Sequence, residues 1–240
     1  MKDVLIIAHR GVSSLYPENT LLSFVKAQEL GVDMIETDVR QTKDKKLVVI
    51  HDRSLTRTTD GRGEIDRLSL KEVRNYSAGK WFSKKFESEK VPTLREVFAT
   101  VGKKTRLRLE IKQVGIEKNL LSVIEQHNLI NHVVCSSFNL ETLAKIKKME
   151  PLIPVAFICN NFNPTFIGEL LRKNINMLDI EYSTLSLPLV KFCHSYGFVV
   201  TAWTIDRARE AKTIAGMGVE AICTNFPQLL KTLRGKNCQE

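Results

Sequence analysis

Long hydrophobic runs are missing from this chain of 240 residues. None approaches the ~20 consecutive apolar residues that a bilayer-crossing helix needs, which excludes a transmembrane segment. The apolar part of Met1–His9 is too short for a signal peptide and runs straight into a polar motif, so it reads as a first strand. Cysteine is scarce: Cys135, Cys159, Cys193, Cys223 and Cys238 are odd in number, scattered, and show no Cys-x-x-Cys spacing. Neither a zinc site nor a disulfide framework follows from that pattern, and a reducing, cytoplasmic location is expected. No Gly-x-Gly-x-x-Gly turn follows the first strand, which argues against a dinucleotide-binding open sheet. Zinc fingers, a basic zipper and an aromatic-studded basic groove are also absent, so no nucleic-acid partner is expected.

What remains is the composition of an ordinary globular protein, 43% apolar and 26% charged. The length suits one large domain with a full core, spanning 1–240 with a small insertion at about 53–92. A net charge of +9 favours anionic partners such as phosphate esters or membrane surfaces. Scattered lysines also solvate a surface, however, and charge alone decides nothing.

The chain then alternates. Val4–Ala8 is a continuous apolar run, as expected of a strand buried on both faces of a parallel sheet. Leu21, Leu22, Phe24, Val25 and Leu30 suit an amphipathic helix closed by Gly31. After a polar, glycine-containing stretch from Arg53 to Pro92, Thr93-Leu-Arg-Glu96 is a capping box that opens a helix through about Val101. Ser69-Leu-Lys-Glu72 is another, inside the insertion. Further strands are expected at Arg106–Lys112, His132–Phe138, Pro154–Cys159, Met177–Tyr182, Phe198–Thr204 and Glu220–Asn225. Helices are expected at Ile116–His127, Asn139–Met149, Pro164–Lys173, Leu187–Tyr196, Arg207–Met217 and Pro227–Leu233. With the strands at Val4 and Ile35 that makes eight strand–helix units, which points to a closed (β/α)8 TIM barrel.

The stretch from Met34 to Asp52 carries the chemistry. Glu36 and Asp38 share one face of a strand, and two carboxylates side by side call for positive charge between them. A tight turn centred between Asp44 and Lys45 would set Asp38 opposite His51 across a hairpin. Barrel enzymes place their chemistry at the carboxyl ends of the strands. Here those ends offer His9/Arg10, Glu36/Asp38, Glu110/Lys112, Phe138, Glu181, Trp203 and Thr224/Asn225. Glu36, Asp38 and Glu110 would give three carboxylates to a hard divalent cation, Mg²⁺ or Ca²⁺. Arg10 and Lys112 would hold an anion, Arg in bidentate fashion. His9 and His51 would form a general acid and general base pair. Asn19 could cap the first helix, and His127, His132 and His194 are read as structural.

These residues carry a resemblance. His9-Arg-Gly11, Pro17-Glu-Asn-Thr20, Ile35-Glu-x-Asp-Val39, Thr42-Lys-Asp, Val48-Val-Ile-His-Asp52, Arg57-Thr-Thr-Asp-Gly61, Leu109-Glu-Ile-Lys112, Ser137-Phe138 and Trp203-Thr204 resemble the glycerophosphodiester phosphodiesterase family in family order. The resemblance implies a metal-dependent barrel phosphodiesterase with an insertion after the second strand. It implies catalytic histidines at His9 and His51, metal carboxylates at Glu36, Asp38 and Glu110, phosphate contacts at Arg10 and Lys112, and substrate-lining aromatics at Phe138 and Trp203. Its substrate would be a small glycerophosphodiester, split into glycerol 3-phosphate and an alcohol. Two positions depart from the pattern. Asp206 stands where relatives often have Asn, and Asn225 where many have Asp, which puts alcohol-group preference in question. A lysophospholipase D-like activity would need an apolar trough, for which Trp81, Phe82 and Phe86 are the candidates; a non-catalytic, polyanion-binding barrel would not need both the histidine pair and the carboxylate set.

Overall fold

A computed structural model describes residues 4–230. Cys238 and the last residues of the helix expected at 227–233 lie outside the described residues. The strands are β1 (Leu5–Ala8), β2 (Met34–Gln41), β3 (Leu47–Val49), β4 (Arg106–Ile111), β5 (Val133–Ser137), β6 (Val155–Cys159), β7 (Met177–Glu181), β8 (Val199–Trp203) and β9 (Ala221–Thr224). All but β3 run parallel, in the order β1-β9-β8-β7-β6-β5-β4-β2, and β1 pairs with β2 to close the ring. The chain is therefore an eight-stranded TIM barrel, with β3 folded back against β2 as an antiparallel arm.

The helices are α1 (Leu21–Glu29), α2 (Leu70–Val73), α3 (Leu94–Val97), α4 (Glu117–Gln126), α5 (Leu140–Met149), α6 (Ile167–Arg172), α7 (Leu187–Ser195), α8 (Ala208–Ala215) and α9 (Pro227–Leu230). Their starts follow the capping chemistry of the sequence. Ser69 with Glu72 and Thr93 with Glu96 form complete capping boxes. The helix after Thr93 is shorter than its periodicity suggested, because a five-residue π-turn at Phe98–Gly102 replaces its last turns.

The hairpin differs from its expected register by one residue. Val39 pairs with Val49 and Arg40 with Val48, so Asp38 lies opposite Ile50 and His51 follows one step beyond. The turn holds three residues, with Lys45 in the left-handed region (φ 63°). The Thr42 hydroxyl accepts from the Lys46 amide and lies 2.6 Å from Asp44 Oδ1, which fixes this wider turn.

Outside the ring, β4 shows the alternation that its sequence carries. Leu107, Leu109 and Ile111 pack against the helices, while Arg108 and Glu110 point into the barrel. Arg108 is buried on Asp179 of β7 and lies 3.4 Å from the Thr201 hydroxyl of β8, so an ion pair crosses the barrel interior. Residues 53–92 form a lobe over the β2–β3 arm, with a small apolar core of its own that includes Val48, Ile50, Leu55, Ile65, Val73 and Val91.

Candidate active site

At the carboxyl ends of the strands a cleft of about 380 Å³ opens, lined among others by His9, Glu36, His51, Glu110, Lys112 and Trp203. Each side chain arrives there for a local reason. Parallel register puts Asp38 beside Glu110, two residues above the Glu36–Arg108 pair. Glu36, Asp38 and Glu110 thus form one buried group whose carboxylate oxygens lie within 4.8 Å of one another. Arg10 follows β1 with a left-handed backbone (φ 56°), which turns its amide to donate to Glu36 Oε2 at 3.0 Å. Gly11 is also left-handed, and a Cβ there would meet the Ser23 hydroxyl at 2.2 Å, so the chain leaves β1 by a route only glycine allows.

The positive groups that the sequence called for are in place. Arg10 Nε lies 3.2 Å from Asp38 Oδ2; Lys112 Nζ lies 2.7 Å from Glu110 Oε1 and 3.6 Å from Asp38 Oδ1. Lys112 also sits 5.9 Å from the centre of the Phe138 ring, whose edge-to-face partner is Trp203. Phe138 is 47% exposed and so forms the open lip of the cleft.

Two positive groups do not neutralise three buried carboxylates. Burial acts to raise the Asp38 pKa, yet Arg10, Lys112 and His51 outweigh it and hold Asp38 below the ordinary range. Burial, with Asp38 and Glu110 nearby, pushes Glu36 well above it. Burial and then Asp38 raise Glu110 to about 7, against the pull of Lys112. Glu36 Oε1 and Asp38 Oδ1 are buried without a hydrogen-bond partner among the described residues. Surplus negative charge, unpartnered oxygens and an all-oxygen donor set are what a hard divalent cation requires, and these residues fit one.

The histidines are held in different ways. His9 Nδ1 lies 2.8 Å from Asn225 Oδ1, while its Nε2 faces Glu36 Oε2 at 3.9 Å. Burial, followed by the charge of Arg10, lowers the His9 pKa to about 4, which keeps the ring neutral. His51 Nδ1 lies 2.5 Å from Asp52 Oδ1. Burial lowers its pKa as well, against the opposing pull of Asp38.

Several neighbours were not picked out by sequence reasoning. Asn19 does not cap α1; Thr20 does. Asn19 instead donates to Asp38 Oδ2 at 2.8 Å and accepts from the Thr37 hydroxyl, holding the central carboxylate in place. Arg57, from the lobe, bonds Asp52 at 2.6 Å and both oxygens of Glu18 at 2.8 Å, and Glu18 in turn bonds Arg10. A continuous network therefore joins His51 to Arg10 through the lobe. Arg57 stood in a recognisable motif, but nothing local in the sequence named its partners.

Asp206 and Asn225 lie outside the cleft lining. They bond each other, and Asn225 bonds His9. Trp81, Phe82 and Phe86 stack on one another and on Tyr16 and do not line the cleft. His127 contacts the Val123 carbonyl and the Phe98 ring, and His194 contacts Glu220.

The model of the glycerophosphoryl diester phosphodiesterase family matches residues 9–229. The glycerophosphodiester phosphodiesterase of Caldanaerobacter subterraneus is 39% identical over 237 residues, covering 95% of this chain and 97% of that one. That of Bacillus subtilis is 29% identical, covering 96% and 86%. Among solved structures, a phosphodiesterase from Oleispira antarctica in complex with the product sn-glycerol-3-phosphate superposes with a TM-score of 0.90 at 30% identity, over 95% of each chain. The glycerophosphodiester phosphodiesterase of Thermotoga maritima gives 0.83 at 26% identity, over 98% of this chain and 100% of that one.

Proposed function

Because the chain belongs to the glycerophosphoryl diester phosphodiesterase family and is an enzyme of that class, we propose that it hydrolyses small glycerophosphodiesters to glycerol 3-phosphate and an alcohol. The observation that carries the reading is the meeting, in one cleft, of a buried three-carboxylate cluster with two differently held imidazoles. The whole chain acts as one phosphodiesterase domain, the 53–92 lobe contributing Arg57 to the network behind His51. Free, buried or half-buried cysteines suit a cytoplasmic setting. Among the described residues no helix is long and apolar enough to cross a membrane.

Glu36, Asp38 and Glu110 would hold Mg²⁺ or Ca²⁺, which would supply a Lewis acid to offset the charge of the phosphate. Arg10 and Lys112, which flank the carboxylates, bind the phosphate oxygens. Ser136 Oγ and Trp203 Nε1, buried in the cleft wall without a hydrogen-bond partner among the described residues, are placed to bond the glycerol hydroxyls. His9, neutral and with a free Nε2 lone pair, accepts the proton of the glycerol hydroxyl next to the ester, which attacks phosphorus. His51, with Asp52 behind it, carries the imidazolium and protonates the departing alcohol, leaving a cyclic glycerol phosphate. The now neutral His51 takes a proton from the water that opens this ring at phosphorus. His9 returns its proton to the glycerol hydroxyl, giving glycerol 3-phosphate. Bound phosphate adds negative charge beside His51 and favours its protonated form.

Acid and base groups of this kind contribute ~10²–10⁴-fold. His9→Ala and His51→Ala are each expected to lose about that much kcat on glycerophosphocholine, with circular dichroism unchanged. On glycerophospho-p-nitrophenol, whose leaving group needs no proton, His51→Ala should regain most of its rate and His9→Ala should not. Near-normal kcat for either variant on glycerophosphocholine would overturn these roles, and no turnover by the wild type would favour an idle polyanion-binding barrel.

A further inference from the structure

Asp206 and Asn225 form a chain of hydrogen bonds that runs across the ends of three adjacent strands. Asp206 follows β8, Asn225 follows β9 and His9 follows β1, and β9 lies between the other two. The Asp206 carboxylate accepts from three donors: the Asn225 amide N–H at 2.8 Å, the Thr224 hydroxyl at 3.1 Å and Asn225 Nδ2 at 2.8 Å. A carboxylate can only accept, so it forces the NH₂ end of Asn225 toward itself. The Oδ1 end is then turned to His9 Nδ1, 2.8 Å away, with the Ser13 hydroxyl at 2.8 Å on the same oxygen. An amide oxygen can only accept from the ring, so His9 must carry its proton on Nδ1. Nε2 is left as the lone-pair atom on the side of the acidic cluster.

We propose that Asp206 and Asn225 are a positioning pair that locks His9 in the Nδ1–H tautomer and so makes Nε2 the proton acceptor of the reaction. The role of His9 rests on the function proposed above; the tautomer lock does not. Neither residue touches the cleft. Asp206 acts on the ring only through Asn225, by deciding which end of a nearly symmetric amide faces it.

The same geometry says what each substitution does. In Asp206→Asn the new amide offers either a donor or an acceptor, Asn225 is free to turn over, and its NH₂ can meet Nδ1. The ring proton then moves to Nε2 and the base is lost. Asn225→Asp alone sets two carboxylates at hydrogen-bonding distance. The double exchange Asp206→Asn/Asn225→Asp restores one donor and one acceptor in reversed order, with a carboxylate oxygen now accepting from Nδ1–H.

The test has two independent arms on the full chain with Mg²⁺ present. In the first, ¹⁵N-labelled protein is studied by two-bond ¹H–¹⁵N correlation of the imidazole rings. The expected spectrum shows His9 as the Nδ1–H tautomer in the wild type and in the double exchange, and as a mixture or the Nε2–H form in Asp206→Asn. In the second, Asp206→Asn is expected to lose roughly ten- to a hundred-fold in kcat on glycerophosphocholine, by analogy with partners that orient metal-bound histidines, with KM within about threefold. The double exchange should recover most of that loss. Thermal melts separate misfolding from misorientation, and if Asp206→Asn fails to fold, the wild-type spectrum and the double exchange still decide. A wild-type His9 found as the Nε2–H tautomer overturns the proposal. So does a folded Asp206→Asn with full kcat, or a folded double exchange no better than the single variants. A wild type that turns over no glycerophosphodiester would overturn the functional reading, while the spectrum would continue to test the lock.

Discussion

Glu36→Gln is expected to abolish turnover at ordinary metal concentrations, as chelation would in the wild type. Glu36 is buried, contributes one of the three converging carboxylates, and has an oxygen without a donor among the described residues. The amide keeps the shape of the side chain but removes a charge from the cation's site. The same variant should be more stable than the wild type when both are metal-free, because it ends a repulsion between buried carboxylates that burial makes costly. The sign with pH follows. A carboxyl whose folded pKa is raised stabilises the fold below its unfolded value, and that contribution is lost as pH rises through the folded pKa. For Glu110 the loss accrues between 4.5 and about 7, and for Glu36 it likewise extends well above the ordinary value. His9, lowered to about 4 from 6.5, works in the opposite sense over that interval. Because His9 Nε2 faces Glu36 at 3.9 Å, the comparison of wild type with Glu36→Gln is best read above pH 6.5, where His9 is neutral in both the folded and the unfolded chain. Metal-free wild type should therefore fall further behind Glu36→Gln as pH rises from about 6.5 to 8. Cation binding in the wild type should release protons near pH 6, measurable by calorimetry in buffers of different ionisation enthalpy. Equal melting of the two proteins at every pH, with no Mg²⁺- or Ca²⁺-induced shift in either, would remove the triad from the mechanism.

A substrate lacking the glycerol hydroxyl next to the phosphoester should bind and then barely react. Arg10 and Lys112 still meet its phosphate, so its affinity as a competitive inhibitor should be close to the KM of the normal compound. Its turnover should fall by a thousandfold or more, because a well-placed internal nucleophile has an effective molarity of ~10⁵–10⁸ M, far above that of water. Rapid quenching of the normal reaction should trap some cyclic glycerol phosphate. Comparable kcat for the deoxy and normal compounds, with chemistry rate-limiting in both, would mean that water attacks directly and that His9 activates water.

Sequence reading reached the barrel because its evidence is repeated and local. Eight alternations of apolar run and amphipathic stretch, with caps such as Ser69/Glu72 and Thr93/Glu96, agree with one another and with the chain length. The residues that meet in the cleft were legible for the same reason. Glu36 and Asp38 share a strand face by alternation, and Glu110 and Lys112 repeat that pattern on the strand beside it. What failed was either a turn detail or a distant partner. The hairpin slipped by one residue because Lys45 adopts a left-handed conformation that its side chain does not advertise. Glu18 and Arg57 are 39 positions apart, and His9 and Asn225 are 216 apart, so no window of sequence could join them. One signal was present and misread. Asp206 and Asn225 depart from the expected pattern in complementary ways, acid for amide and amide for acid, and two such departures are what a contacting pair produces on exchange.

The most direct test follows glycerophosphocholine by ³¹P NMR with the purified chain, once with Mg²⁺ or Ca²⁺ and once after exhaustive chelation. The expected result is glycerol 3-phosphate and choline with metal, and no turnover without it. Phosphocholine and glycerol as products, undiminished turnover by a chelated protein with no bound metal, or no reaction in either arm would contradict it.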